Sequence, residues 1–197
     1  PPGRVGEALS PGRGCQSREG YLLPFDISCG VLATREALAR AAYELACDAL
    51  AENVWYLEVR FAPQRHIHAG LSGLDVLRAV EEGLIRAERE YSGKIRCGIL
   101  VCAMRNFHES SRSYHRKARA ALPYASGKEL GSSCSLAAAR LAVEAKLKGI
   151  ERVVGFDLAG AEADFPPSHH REAFHWCIDH FLNISVHAGE GYGPASI

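Results

Sequence analysis

Residues 95–104, Ile95-Arg96-Cys97-Gly98-Ile99-Leu100-Val101-Cys102-Ala103-Met104, are almost entirely apolar. A strand wetted on one side alternates, so a run without alternation suits a strand covered on both faces. The run at 54–61 does alternate, with Trp55, Leu57, Val59 and Phe61 on one face and Tyr56, Glu58 and Arg60 on the other. Between the two, Ser72 with Asp75 three residues on opens a helix. Its stripe is Leu77, Val80, Leu84, Ala87 and Tyr91, and Gly93 ends it. Upstream, Thr34 caps a helix carrying Leu38, Ala41, Leu45 and Ala49, with Asn53 as its stop. Downstream, Leu136, Ala139, Val143 and Leu147 mark a helix stopped at Gly149, followed by a strand over 152–158. Ser168 opens a last helix with Phe174, Cys177, Ile178 and Phe181 inward, leading to a strand over 184–188. Four strands alternating with helices predict the α/β class and a parallel sheet built from right-handed crossovers.

Composition agrees with one soluble domain. The 197 residues are 47% hydrophobic and 23% charged, enough for a sizeable core. Basic and acidic residues number 23 each, so no net field draws in nucleic acid or an anionic membrane. No apolar run spans a bilayer, and residues 1–20, rich in Pro, Gly and Arg, lack the apolar centre of a signal peptide. A cytoplasmic setting is the expectation. Seven cysteines, an odd count without Cys-x-x-Cys spacing, argue against a disulfide framework and a thiolate zinc site; most read as small core residues. Two stretches break the rhythm. Residues 1–20 read as disordered, and 106–134 is long for a strand-to-helix connection. The latter holds Arg112, His115, Arg116, Lys117 and Arg119 beside Tyr114, read as a solvated insertion rather than a nucleic-acid contact.

In parallel α/β folds chemistry collects at the carboxyl ends of the strands, where Arg60, Pro63, Arg105, Asp157, Gly160, His187 and Glu190 fall. Glu58 and Arg60 project together and need to pair, which reads as structural. Alternation puts Ser185 and His187 on one face at the end of the last strand. Gly189 then lets the chain turn, so that the Glu190 carboxylate can swing back over the imidazole. A metal ligand and a proton-transfer group would thereby share one pocket. An isolated His-x-x-Glu would read more plainly, as a half-buried histidine and a solvated acid.

Five stretches, in order, change that balance: Tyr21-Leu22-Leu23-Pro24-Phe25-Asp26; Tyr56-Leu57-Glu58-Val59-Arg60-Phe61-Ala62-Pro63-Gln64; Met104-Arg105; Gly155-Phe156-Asp157-Leu158-Ala159-Gly160-Ala161-Glu162; and His187-Ala188-Gly189-Glu190. Together they resemble the adenosine deaminase family of the amidohydrolase superfamily, over roughly residues 21–105 and 135–197. The resemblance implies a partial (β/α)8 TIM barrel over 21–197, about four of eight strand-helix units, with 106–134 inserted and 1–20 a leader outside the family pattern. It implies zinc-dependent hydrolytic deamination of adenosine or deoxyadenosine to inosine or deoxyinosine, a purine nucleoside being the small-molecule partner. By motif, His187 resembles a zinc ligand. Glu190 resembles the acid that hands a proton to the purine ring nitrogen, and Gly160 the glycine whose backbone contacts the purine. Zinc makes a hydroxide nucleophile available near neutral pH, and ring protonation makes the attacked carbon electrophilic.

The departures matter too. The family's His-x-His pair of zinc ligands should lie upstream of Tyr21, and residues 1–20 contain none. The later histidine and the Asp-Asp pair are also missing, so the Zn²⁺ site is incomplete, with one ligand of four. His66-Ile67-His68 follows the strand ending at Phe61, where the family has a loop, and is a false match for the pair. His169 and His170, at a helix start, read as solvated. Two alternatives stand beside the leading function: deamination of another 6-aminopurine compound, and a catalytically inactive truncated product. Two unpaired strand edges lead us to expect self-association.

Overall fold

The computed structural model describes residues 28–68, 70–106, 113–162, 164–191 and 193–197. The 1–20 stretch and the motif at 21–26 lie outside them. After a helical turn at 28–31, the order is α1 (Arg35–Ala51), β1 (Tyr56–Phe61), a 3-10 turn (Pro63–Arg65), α2 (Gly73–Glu90), β2 (Arg96–Met104), α3 (Ser113–Ala121), α4 (Gly127–Leu147), β3 (Val153–Ala159), a 3-10 turn (Pro167–His170), α5 (Arg171–Asp179), β4 (Asn183–Ile184) and a final 3-10 turn (Gly193–Ser196). The four strands form one parallel sheet in the order β1-β2-β3-β4.

The helix starts have local chemical causes. The Thr34 hydroxyl accepts from Ala37 N at 3.1 Å. Reciprocal capping boxes, Ser72 with Asp75 and Ser126 with Glu129, open α2 and α4 by satisfying amides that lack a partner inside the helix. α1 and α2 pack very closely at Gly83, where a Cβ would lie 2.1 Å from the Ala39 carbonyl oxygen. Any side chain there would force the helices apart.

The sheet has two unlike faces. Leu57, Val59, Phe61, Ile99, Val101, Ala103, Phe156 and Leu158 face the helices and join a core with Leu77, Leu84, Ala139 and Cys177. Each fully buried Leu or Ile contributes about 1.5–3 kcal/mol relative to exposure. The opposite face carries Tyr56, Glu58 and Arg60 exposed on β1, then Leu100, Cys102 and Asp157. Between Ile99 and Leu100 the pairing shifts: Ile99 pairs with Val153 but Leu100 with Gly155, leaving Val154 as an extra residue in β3. Gly98 makes room for it, since a Cβ there would lie 2.7 Å from Val154 Cγ2, and the Asn183 side-chain amide donates to the Val154 carbonyl at 3.1 Å. At the other end of the sheet, buried Glu88 accepts from Cys97 N at 2.8 Å and from Arg152 at 2.6 Å, joining α2 to β2 and to the residue that leads into β3.

Several expectations need correction. α4 starts at Gly127, nine residues before its apolar stripe becomes regular near Leu136, because the Ser126 capping box starts it and Leu130 and Cys134 are already buried. Within 106–134, residues 113–121 are therefore α3 and 127–134 are the first turns of α4. β4 is two residues long, not five, so His187 lies three residues beyond the strand. Trp55 is outside β1 and 78% exposed. Phe181 is 93% exposed and adopts φ +55°, since the chain reverses there after α5; Ile178 is also exposed. His170 is not solvated. Its ring is buried, with Nδ1 2.9 Å from Ser135 Oγ. The six described cysteines are free thiols, four of them buried. No helix among the described residues is long and apolar enough to cross a membrane.

Candidate active site

Asp157 sits near the end of β3, fully buried on the open face and paired in register with Cys102 of β2. Its carboxylate gathers four donors. Leu158 N reaches Oδ1 at 2.8 Å, and the Cys102 thiol reaches Oδ2 at 3.4 Å. Burial, and then the Asp157 charge, pushes the Cys102 thiol well above its ordinary pKa, so it stays protonated and donates. Arg60 Nε stands 3.3 Å from Oδ2, and His187 Nδ1 bonds Oδ1 at 3.2 Å while standing 3.0 Å from Oδ2. The Glu58–Arg60 expectation is corrected here: Arg60 pairs across the sheet with Asp157, while Glu58 accepts from the Tyr56 hydroxyl at 2.7 Å.

These contacts define the histidine. Arg60 Nη1 lies 3.2 Å from His187 Nε2. A guanidinium can only donate, so Nε2 presents its lone pair, and the ring hydrogen is on Nδ1, donated to Asp157. This is the tautomer that coordinates a metal through Nε2, with a buried carboxylate holding the ring.

The chain then turns. Gly189 adopts φ +79°, a conformation that strains residues with a Cβ, and Glu190 follows, exposed on the turn. Two buried charges meet this turn from other strand ends. Arg105, just past β2, donates to the His187 carbonyl and, through Nη1 at 2.9 Å, to the Phe165 carbonyl. Glu162, beyond β3, accepts from Gly189 N at 3.0 Å and Gly191 N at 2.6 Å. Gly160, with φ +111°, lies between them; a Cβ there would stand 3.4 Å from Met104 Cε and from Asn106 Oδ1.

Thus His187, Glu190 and Gly160 all lie around the carboxyl ends of the strands, as their motifs imply. His66 and His68 do not join them. His66 Nδ1 faces the Leu32 carbonyl at 2.9 Å and His68 Nε2 the Ala33 carbonyl at 2.6 Å, pinning the entry to α1. Among the described residues no group of three or more His, Cys, Asp or Glu side chains is placed to hold a metal ion. The donor chemistry fits one ligand position, the oriented Nε2 of His187. Asp157, Arg105 and Glu162 have larger structural parts than their spacing suggested. The available signal was a charge set in, or directly after, an otherwise apolar strand.

The adenosine deaminase family model matches residues 7–127 and 128–197. Adenosine deaminase of Mycobacterium tuberculosis is 39% identical over 186 residues, covering 92% of this chain and 43% of that protein. The apo N6-methyl-AMP deaminase from Arabidopsis thaliana superposes with a TM-score of 0.69 at 22% identity, over 98% of this chain and 50% of that one. An amidohydrolase from Burkholderia ambifaria with bound Zn gives 0.66 at 20% identity, over 95% and 48%. The chain spans less than half the length of the curated relatives it matches, and its four-stranded parallel sheet is about half of a TIM barrel. With both the family match and the fold reaching across nearly all of its length, this chain belongs to the adenosine deaminase family.

Proposed function

We propose that the protein carrying this chain hydrolyses the 6-amino group of adenosine or deoxyadenosine with zinc, and that His187, Glu190 and Gly160 are this chain's contribution. The observation that carries the reading is the Asp157–His187 pair, which leaves the ring lone pair on Nε2, 3.2 Å from Arg60 Nη1, at the mouth of the strands. Zinc, when bound, lowers the pKa of water enough to supply a nucleophile near neutral pH. The residues of this chain do the rest. Asp157 keeps the His187 ring in the coordinating tautomer, and Arg60 shields the Asp157 charge. Glu190, on its glycine turn, holds a proton for the ring nitrogen of the purine, which makes the carbon bearing the amine electrophilic. Gly160 lets the base approach the backbone. The remaining metal ligands are not among the described residues.

A second reading is a 6-substituted purine nucleotide as substrate. Its support is the fold likeness to an N6-methyl-AMP deaminase, whereas the relatives at 37–39% identity over 92% of the chain are adenosine deaminases and favour the nucleoside. Turnover of adenosine, deoxyadenosine, AMP and N6-methyl-AMP by the full-length protein, with zinc measured by metal analysis, separates the two. In Glu190→Gln we expect zinc retained, KM little changed and kcat reduced by roughly 10²–10⁴. Absence of hydrolysis of all four compounds, or loss of zinc in that variant, overturns the assignment.

A further inference from the structure

The buried ion pair Arg105–Glu162 has no part in the chemistry just described, yet it ends on the backbone that carries it. Both side chains are about 1% exposed, and Arg105 Nη2 stands 3.9 Å from Glu162 Oε1. A buried pair of this kind adds little net stability, because desolvating two charges costs about as much as their attraction returns. Its bonds are more informative. The two oxygens of Glu162 accept one amide each, from Gly189 and Gly191, the residues on either side of Glu190. Arg105 holds the carbonyl of His187. One ion pair thus grips the chain at 187, 189 and 191.

This turn needs such a grip. β4 ends at Ile184, so no strand ladder reaches it, and Gly189 and Gly193 both adopt positive φ, a conformation of low intrinsic stiffness. The carboxylate supplies an anionic partner for the amides on either side of Glu190, an arrangement that fixes the turn by its backbone and not by the Glu190 side chain. We propose that Glu162, held by Arg105, is a positioning residue that sets the placement of Glu190 relative to His187. The inference rests on the proposed roles of those two residues. A misplacement of about 1 Å at a reacting group can cost on the order of 10² in rate, so a clamp of this kind acts on kcat.

The test uses two variants of the full-length protein. Glu162→Gln keeps the shape but offers one acceptor oxygen where two amides need one each. Glu162→Asp keeps the charge beside Arg105 but is one methylene too short to reach both amides. In Glu162→Gln we expect kcat to fall about 10–100-fold with KM within about threefold and zinc retained. Amide hydrogen exchange at Gly189 and Gly191 should quicken at least about tenfold, with the β2 amides unchanged. Glu162→Asp should recover the melting temperature without recovering kcat. The inference is overturned if Glu162→Gln keeps kcat within about threefold of the wild type, if Gly189 and Gly191 exchange as fast as unprotected amides in the wild type, or if Asp restores kcat in full. Should Glu162→Gln fail to fold, Glu162→Asp and wild-type exchange decide. If the wild type hydrolyses none of the purines, the deaminase reading fails while the exchange rates still report on the clamp.

Discussion

β1 and β2 lie side by side, in register from Tyr56 against Arg96 to Phe61 against Val101, and are buried in opposite ways. β2 is covered from Cys97 to Ala103. β1 alternates, with Leu57, Val59 and Phe61 turned to the helices and Tyr56, Glu58 and Arg60 left on the open side. One strand is held by contact area; the other lends its open face to the site, since Arg60 leaves it to reach Asp157 and His187. Neighbouring strands of one sheet thus divide the work: apolar burial builds the frame, and polar geometry at its rim builds the candidate site.

The comparison can be broken most forcefully at β2. Ile99 is fully buried among the helices, so Ile99→Ala should cost about 2–5 kcal/mol through lost transfer energy and the cavity left behind. A denaturant midpoint that hardly moves would show that β2 is not the frame. The next largest effect is a pH dependence seated on the buried polar layer. Burial, followed by the Arg105 charge, lowers the His170 pKa from about 6.5 to about 4. The folded state therefore favours the neutral ring. This contribution is fully present above about pH 6.5, shrinks as the unfolded chain takes up the proton, and is gone near pH 4. The difference amounts to about 3 kcal/mol at most. Unfolding titrations at pH 7 and pH 4.5 should show His170→Gln losing less stability on acidification than the wild type; equal losses would refute the assignment.

The open face of β1 should respond more weakly and unevenly. Arg60→Leu leaves the fully buried Asp157 carboxylate short of a cation, a cost of about 1–3 kcal/mol. Glu58→Leu, one pleat away and bonded only locally to Tyr56 within β1, should leave the denaturation midpoint where it was. Equal responses from the two variants would mean that the face is uniform and that the link from Arg60 to the site has no energetic weight.

What was legible in the sequence follows the range of the interactions. Thr34 and the Ser72–Asp75 box act within a single turn, and both helix starts fall where those residues place them. The apolar run of β2 marks the sheet centre because a doubly covered strand needs no information from elsewhere. His170 misled because its local setting is polar, whereas its partner Ser135 lies 35 residues away on α4. The early turns of α4 were obscured by Gly131, Ser132 and Ser133, which carry no apolar stripe. β4 stops short of its alternating pattern: past Ser185, whose amide reaches the Phe156 carbonyl, the backbone leaves the sheet and the His187 carbonyl accepts from Arg105. Motif order singled out His187, Glu190 and Gly160 as candidates, but the bonds that hold His187 and the turn after it come from residues between 27 and 127 positions away, beyond the reach of any local pattern.

The extra residue in β3 has a consequence of parity. Val153 pairs on the helix side with Ile99, and after the bulge Phe156 and Leu158 are on the helix side again while Asp157 faces the open one. Were Val154 paired like its neighbours instead of bulged out, strict alternation would exchange these two sets, because a one-residue slip moves every following side chain to the other face. Phe156 and Leu158 would then meet water, and a carboxylate would be driven in among the helices. What matters at position 154 is that the residue is left out of the pairing, not which residue it is. Val154→Ala and deletion of Val154 should both keep Asp157 on the open face, because Val153 and Gly155 pair with the consecutive residues Ile99 and Leu100, whereas one further paired residue inserted between Gly155 and Asp157 would carry the carboxylate to the wrong side of the sheet and leave His187 without the anion that aims it.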